Sequence, residues 1–279
     1  MTTWTPPERR RVSTIAELPR DLVSAADSVV AGYDEVLCAF ISGSHVEGMA
    51  TPTSDLDLYV VSPHQIRGRD EANVSMLNGE AIIDVRSENG LRVDTEIWTM
   101  AAVRAAARDI AECDPADLTA VLCLDSARLE LAHRLHTALP LRNAALVRSL
   151  KDLVDHAQLR SLLATRALYE WDSLEEDTRG SLAVGDLATA QLVSRMALGS
   201  AIDAFLAARG NSNPRAKWRF ARLALCQEKD VAQRYLELES RTGTSATALA
   251  GTARERLDFG REIVAHALTW LESVRPVTT

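Results

Sequence analysis

Asp55 and Asp57 stand two residues apart in Asp55-Leu56-Asp57-Leu58-Tyr59-Val60-Val61. In an extended strand such a pair projects from one face. Carboxylates held side by side repel unless a cation joins them. A hard divalent ion such as Mg2+ takes one or two protein carboxylates and fills its shell with water and substrate phosphates. The partner feature lies upstream, where the apolar run Val36–Ile41 ends in Ser42-Gly43-Ser44. Glycine lets a backbone approach a ligand closely, and backbone N–H groups with a serine hydroxyl suit phosphate oxygens. A solvated Asp pair on an edge strand is the plain alternative. Against it, the pair sits in an otherwise apolar strand, where unpaired charge is costly.

The flanking pattern predicts the elements that must position these groups. Apolar residues at helical spacing from Ile15 to Val30, with Pro19 near the start and Gly32 as a stop, predict a helix. Strands follow over 36–41 and 55–61, then a turn-rich segment over 62–72. Two further strands, 79–86 and 91–98, are joined through Asn89-Gly90, a pair that favours hairpins. In the second, Asp94 and Glu96 share a face. From Thr99 onward the pattern is helical, over 100–110, 117–139 (ended by Pro140) and 145–171. A helix from 186 to 209 follows, with Asp186 as its cap and Leu192, Met196, Gly199, Ile202 and Leu206 as its core stripe. Gly210–Pro214 is a stop, after which 214–226, 229–238 and 246–274 read as helices, the last broken at Gly251 or Gly260. The expected architecture is an α/β head, residues 1–100, and a helical domain, residues 101–279.

At 47% hydrophobic and 25% charged residues the composition is that of an ordinary globular chain. The N-terminus has no apolar core of the secretory kind, no run is long enough for a membrane span, and residues 1–12 are expected to lack order. The four cysteines lack metal or redox spacing. They are expected as buried thiols in a cytoplasmic protein that binds no membrane. A net charge of −8 argues against a long nucleic-acid strand as partner. Of the 31 basic residues only Lys151, Lys217 and Lys229 are lysine. A lysine in so arginine-rich a chain can reflect a need for a compact ammonium head, or chance.

The strand, the Gly-Ser turn, a spacer of about ten residues and Asp-apolar-Asp on the next strand resemble the signature of the DNA polymerase beta-like nucleotidyltransferase superfamily. Gly43, Ser44, Asp55 and Asp57 fill it, with Ser54 at the usual serine before the first Asp. The resemblance implies a small mixed sheet with helices, followed by an all-α bundle closing the active cleft. It also implies a third metal carboxylate on a later strand, for which Asp94 is preferred and Asp84 is the rival, with Glu96 as a further candidate base. The segment running through Asp186, Gly210, Lys217 and Trp218 looks like the helical part of bacterial aminoglycoside- and antibiotic-type nucleotidyltransferases. Lys217 is then a candidate for the triphosphate and Trp218 for stacking, unless they are a surface cation and a core ring. Many members carry Arg at the position of Glu47. An acidic residue there resembles the aminoglycoside enzymes, and is read here as a solvated loop charge.

By that resemblance, Asp55, Asp57 and Asp94 would gather two Mg2+ ions. Gly43, Ser44, Ser54 and Lys217 would bind the nucleotide, and Asp94 or Glu96 would take the proton of an acceptor hydroxyl. The expected reaction moves a nucleoside monophosphate, AMP from ATP by default, onto a small hydroxylated molecule such as an aminoglycoside or other natural product, releasing pyrophosphate. Resistance and biosynthesis both suit it. Transfer to a protein side chain, as in toxin–antitoxin systems, and a non-catalytic nucleotide-binding module are the alternatives.

Overall fold

The computed structural model describes residues 9–65, 74–77 and 80–274. The chain divides into two compact units. One comprises Arg9–Glu112 and Leu124–His156, and the other Cys113–Cys123 and the chain from Ala157 onward.

The first unit is built on a six-stranded mixed sheet with the order β3-β4-β5-β2-β1-β6. Its strands are β1 (Cys38–Ser42), β2 (Leu56–Ser62), β3 (Val74–Leu77), β4 (Ala81–Glu88), β5 (Leu91–Thr99) and β6 (Leu139–Arg142). β2 and β5 run parallel, and every other pairing is antiparallel. One face packs on helix α1 (Arg20–Val30). Ala39, Ile41, Leu56, Leu58, Val60, Val93 and Ile97 meet Ala25, Ala26, Val29 and Val30 there. Alternation sends Ser42, Asp57, Tyr59, Asp94, Glu96 and Trp98 to the opposite face. That face is attended by α2 (Met100–Glu112) and α4 (Ser126–His136). α5 (Ala144–Asp152) completes the unit.

Several expectations change. The sheet does not end near residue 100, because Leu139–Arg142 returns as edge strand β6 beside β1. Pro140 reads as a helix stop, yet proline is equally at home on a sheet edge, and sequence does not tell the two apart. The stretch 117–139 is not one helix. It holds α3 (Leu118–Cys123) and α4, separated where the Asp125 carboxylate caps α4 by accepting from the Ala127 N–H at 2.6 Å. The expected 145–171 helix is α5 and then α6 (His156–Val184). Residues 9–12 are ordered: the Arg9 guanidinium donates to the Gly48 carbonyl at 2.9 Å, and the Val12 N–H to the Val46 carbonyl at 2.8 Å. Residues 1–8 and 66–73, with most of the predicted 62–72 loop, lie outside the described residues, as does Gly79.

The second unit is helical: α3, α6, α7 (Leu187–Ala208), α8 (Arg219–Leu225), α9 (Lys229–Glu239) and α10 (Ala246–Val274). Asp186 caps α7 as expected, accepting from the Thr189 N–H at 3.1 Å. The core stripe of α7 is displaced from the expected one. Gly199, Ile202 and Leu206 are buried, but Leu192 and Met196 are exposed, and Ala190, Ser194, Ala197 and Ala201 face the core instead. Neither Gly251 nor Gly260 breaks α10. Gly260 is there for space. A Cβ on it would lie 2.2 Å from Cη2 of the buried Trp171. Gly260→Ala should therefore lower stability by about 1–2 kcal/mol, net of the ~1 kcal/mol alanine gains in a helix interior, read as an earlier urea midpoint. Cys123 is exposed rather than buried, and no disulfide joins the four cysteines. Among the described residues, no helix is long and apolar enough to cross a membrane.

Candidate active site

β1 delivers the turn and β2 the aspartates. Ser42 is paired with Asp57 across the antiparallel β1–β2 ladder, and Asp57 with Asp94 across the parallel β2–β5 ladder. The ends of three neighbouring strands thus place Gly43, Asp57 and Asp94 at one end of the sheet. Asp55 lies just before β2. Gly43 adopts φ +78°, and a Cβ there would fall 1.8 Å from Asp57 Oδ2. Only glycine lets the turn lie against that carboxylate.

The turn closes on itself. Carbonyls of Gly43 and Ser44 accept from the N–H groups of Val46, Glu47, Met49 and Ala50, while the Ser44 backbone N–H favours the charged form of the Asp57 carboxyl. The Ser44 hydroxyl is buried and has no hydrogen-bond partner. Such a group costs about 1–3 kcal/mol, and a ligand oxygen would satisfy it. Ser54 is engaged in its own loop: its hydroxyl accepts from the Thr51 N–H at 2.9 Å, and its carbonyl lies 3.4 Å from His45 Nε2.

Burial pushes the Asp57 carboxyl above the usual range. Asp55 and Asp94 push the same way, whereas Arg134 and the Ser44 N–H oppose it. Asp94 is half-buried. It accepts both prongs of Arg92, Nε to Oδ1 at 2.7 Å and Nη2 to Oδ2 at 2.8 Å, and the same Nε lies 4.0 Å from Asp55 Oδ2. Glu96 lies one pleat deeper. Its oxygens accept from Tyr59 Oη at 3.2 Å and Trp98 Nε1 at 3.0 Å. Burial raises its carboxyl, which the Trp98, Arg134 and Tyr59 partners partly offset. The rival Asp84 belongs to the other face. It is fully buried and accepts from Tyr33 Oη at 2.7 Å and Arg86 Nε at 3.0 Å, a structural arrangement remote from the turn.

Glu47 is not a solvated charge. It is 1% exposed, with His133 Nε2 at 3.1 Å and Arg134 Nη1 at 3.4 Å. Arg134 also donates to Glu130 at 3.0 Å. Burial works against its charge, but Tyr59, Asp57, Glu130 and Glu47 around it hold the guanidinium protonated. Burial likewise keeps the His133 imidazole neutral to lower pH than usual. Arg134 is the site residue that sequence reasoning missed. Its one local signal is a basic residue in the last turn of a helix, which many helices carry. Only the packing of α4 on the sheet puts it beside Asp57.

Lys217 lies in the helical unit, exposed, with Nζ 5.1 Å from the centroid of the Trp218 ring. Its segment is anchored by a buried network. Arg219 and Arg222 both donate to Asp203, at 2.6 and 2.8 Å, and Arg222 also donates to Asn211 at 3.0 Å.

Asp55, Asp57 and Asp94 offer only oxygen donors, the set a hard cation takes. As they stand, no three His, Cys, Asp or Glu side chains among the described residues are gathered to hold a metal ion, and Arg92 lies across Asp94. Still, an ion that needs one or two carboxylates and draws the rest of its shell from water and phosphate fits beside Asp57 and Asp55.

No protein-family model matches the chain, and no curated protein does. Among solved structures, it is similar to one described as a nucleotidyltransferase-like protein from Exiguobacterium sibiricum 255-15. The TM-score is 0.47 and the sequence identity 15%, over 91% of this chain and 79% of that one. A likeness at that level is silent on activity, and what the site can do is read from its own residues.

Proposed function

We propose that the sheet-bearing unit is the catalytic head of a Mg2+-dependent nucleotidyltransferase. The observation that carries this reading is the pairing of a half-buried, partly desolvated carboxylate, Asp57, with a turn whose Ser44 hydroxyl is buried and unpartnered. Asp55 and Asp57 would hold the ion, with Asp94 joining them. Once bound, it would neutralise phosphate charge and acidify an acceptor hydroxyl. The Gly43–Ser44 turn would bind phosphate oxygens, with Gly43 admitting the close approach. Asp94, paired with Asp57 across the β2–β5 ladder, is better placed than Glu96, one pleat deeper, to take the acceptor proton. The acceptor class favoured is a small hydroxylated molecule, and the donor favoured is ATP.

The Arg92–Asp94 pair favours a second reading, a head that binds nucleotide without catalysis. Both are tested by thermal-shift titration of each nucleoside triphosphate with and without Mg2+. A ligand at about 100 times its Kd adds ~2.7 kcal/mol, a shift of several degrees. A Mg2+-dependent shift with one nucleotide supports the transferase. A shift indifferent to Mg2+ supports the binding module, and no shift with any nucleotide defeats both.

A further inference from the structure

We propose that Arg92 is an exchangeable counter-ion of this site, an inference that rests on the nucleotidyltransferase reading above. In the free protein its guanidinium neutralises Asp94 and faces Asp55. On loading it leaves those carboxylates and takes up the phosphates of the donor.

The geometry separates two cations that serve the same acidic cluster. Arg134 is buried and tied to Glu47 and Glu130 on its own side of the cluster. Arg92 stands two residues before Asp94 on β5, on the same face. Its side chain is 62% exposed, and its only partners among the described residues are the carboxylates of Asp94 and Asp55. One guanidinium therefore spans two carboxylates that a divalent ion would claim. An ion pair this exposed is weak and screened, so a cation of higher charge density displaces it. The side chain released is long and always charged, and its planar fork suits phosphate as well as carboxylate. The anionic donor arriving with the cation is the nearest replacement partner. Neutralising Asp94 also spares the site the repulsion of three bare carboxylates before the cation arrives.

The test uses the full chain and two probes, neither requiring turnover. Mn2+ alone is titrated and the free ion counted by electron paramagnetic resonance. Inorganic tripolyphosphate is then titrated calorimetrically at saturating Mn2+. Relative to wild type, Arg92→Ala should bind Mn2+ about threefold tighter, because the competitor is gone. It should bind tripolyphosphate about tenfold weaker, because the fork is gone. Opposite signs on two ligands are not produced by a general loss of structure. Arg92→Gln, which keeps the stem, gives the same readout should the alanine variant fold poorly. Mn2+ affinity that is unchanged or weaker in both variants overturns the counter-ion role. Tripolyphosphate affinity equal to wild type overturns the exchange. If wild type binds both probes and the variants match it, this inference alone fails. If wild type binds neither probe, the nucleotidyltransferase reading fails and the inference goes with it.

Discussion

Asp57→Asn is expected to abolish the Mg2+-dependent nucleotide shift and to cut pyrophosphate release in the presence of acceptor by on the order of 10³-fold. The same substitution should stabilise the ligand-free protein at neutral pH. The Asp57 carboxyl is raised in the folded state, chiefly by burial. Folded protein therefore binds that proton more tightly than unfolded chain, and stability declines as pH climbs from the ordinary carboxylate value through the raised one. Above that interval wild type carries a partly desolvated charge that Arg134 only partly offsets. Asn carries none, so the variant should melt higher than wild type at pH 7 and lack this part of the pH slope. Urea unfolding of both proteins from pH 3.5 to 8, without metal or nucleotide, measures it. A variant that melts lower at every pH would mean that Asp57 is a structural carboxylate whose bonds hold the turn, and the site reading would be wrong. Loss of ligand binding with gain of stability is the behaviour of a site that keeps an unfavourable charge for use.

Gly43→Ala should do the opposite to stability and the same to function. The added Cβ would fall 1.8 Å from Asp57 Oδ2, at a φ of +78° that side chains other than glycine rarely adopt. The backbone conformation costs about 1–2 kcal/mol and the clash a further ~1–3 kcal/mol, unless Asp57 turns away. Relief by that rotation moves the carboxylate out of register with Asp94. Either way the nucleotide shift should vanish, with a melting temperature several degrees below wild type. A variant with wild-type melting and wild-type nucleotide binding would show that the turn is not packed on Asp57 in solution.

Much of the site was legible because it is local. A Gly-Ser turn after a strand and an Asp pair at strand spacing are period-2 features, and Asp57 and Asp94 do face the same way from neighbouring strands. The preference for Asp94 over Asp84 rests on the family resemblance, and the structure puts Asp84 on the other face of the sheet. What failed were inferences about surroundings. Glu47 reads as a loop charge because no Lys or Arg lies within several residues of it; His133 and Arg134 reach it from 86 and 87 residues away. Leu192 and Met196 continue a perfect apolar stripe on α7, yet burial of a helix in a bundle depends on where its neighbours lie. Pro140 was read as an end and is part of an edge strand.

The sequence alone therefore determined which residues could do chemistry here: a buried-strand aspartate pair, a glycine turn and a third carboxylate two strands on. Backbone period and residue type suffice for that. Only the tertiary structure decided their electrostatic state. It brought a buried cation, Arg134, from α4 toward Asp57, and left the Ser44 hydroxyl without a partner. Charge and solvation depend on what packs against a group, and that is settled by contacts between segments far apart in the chain.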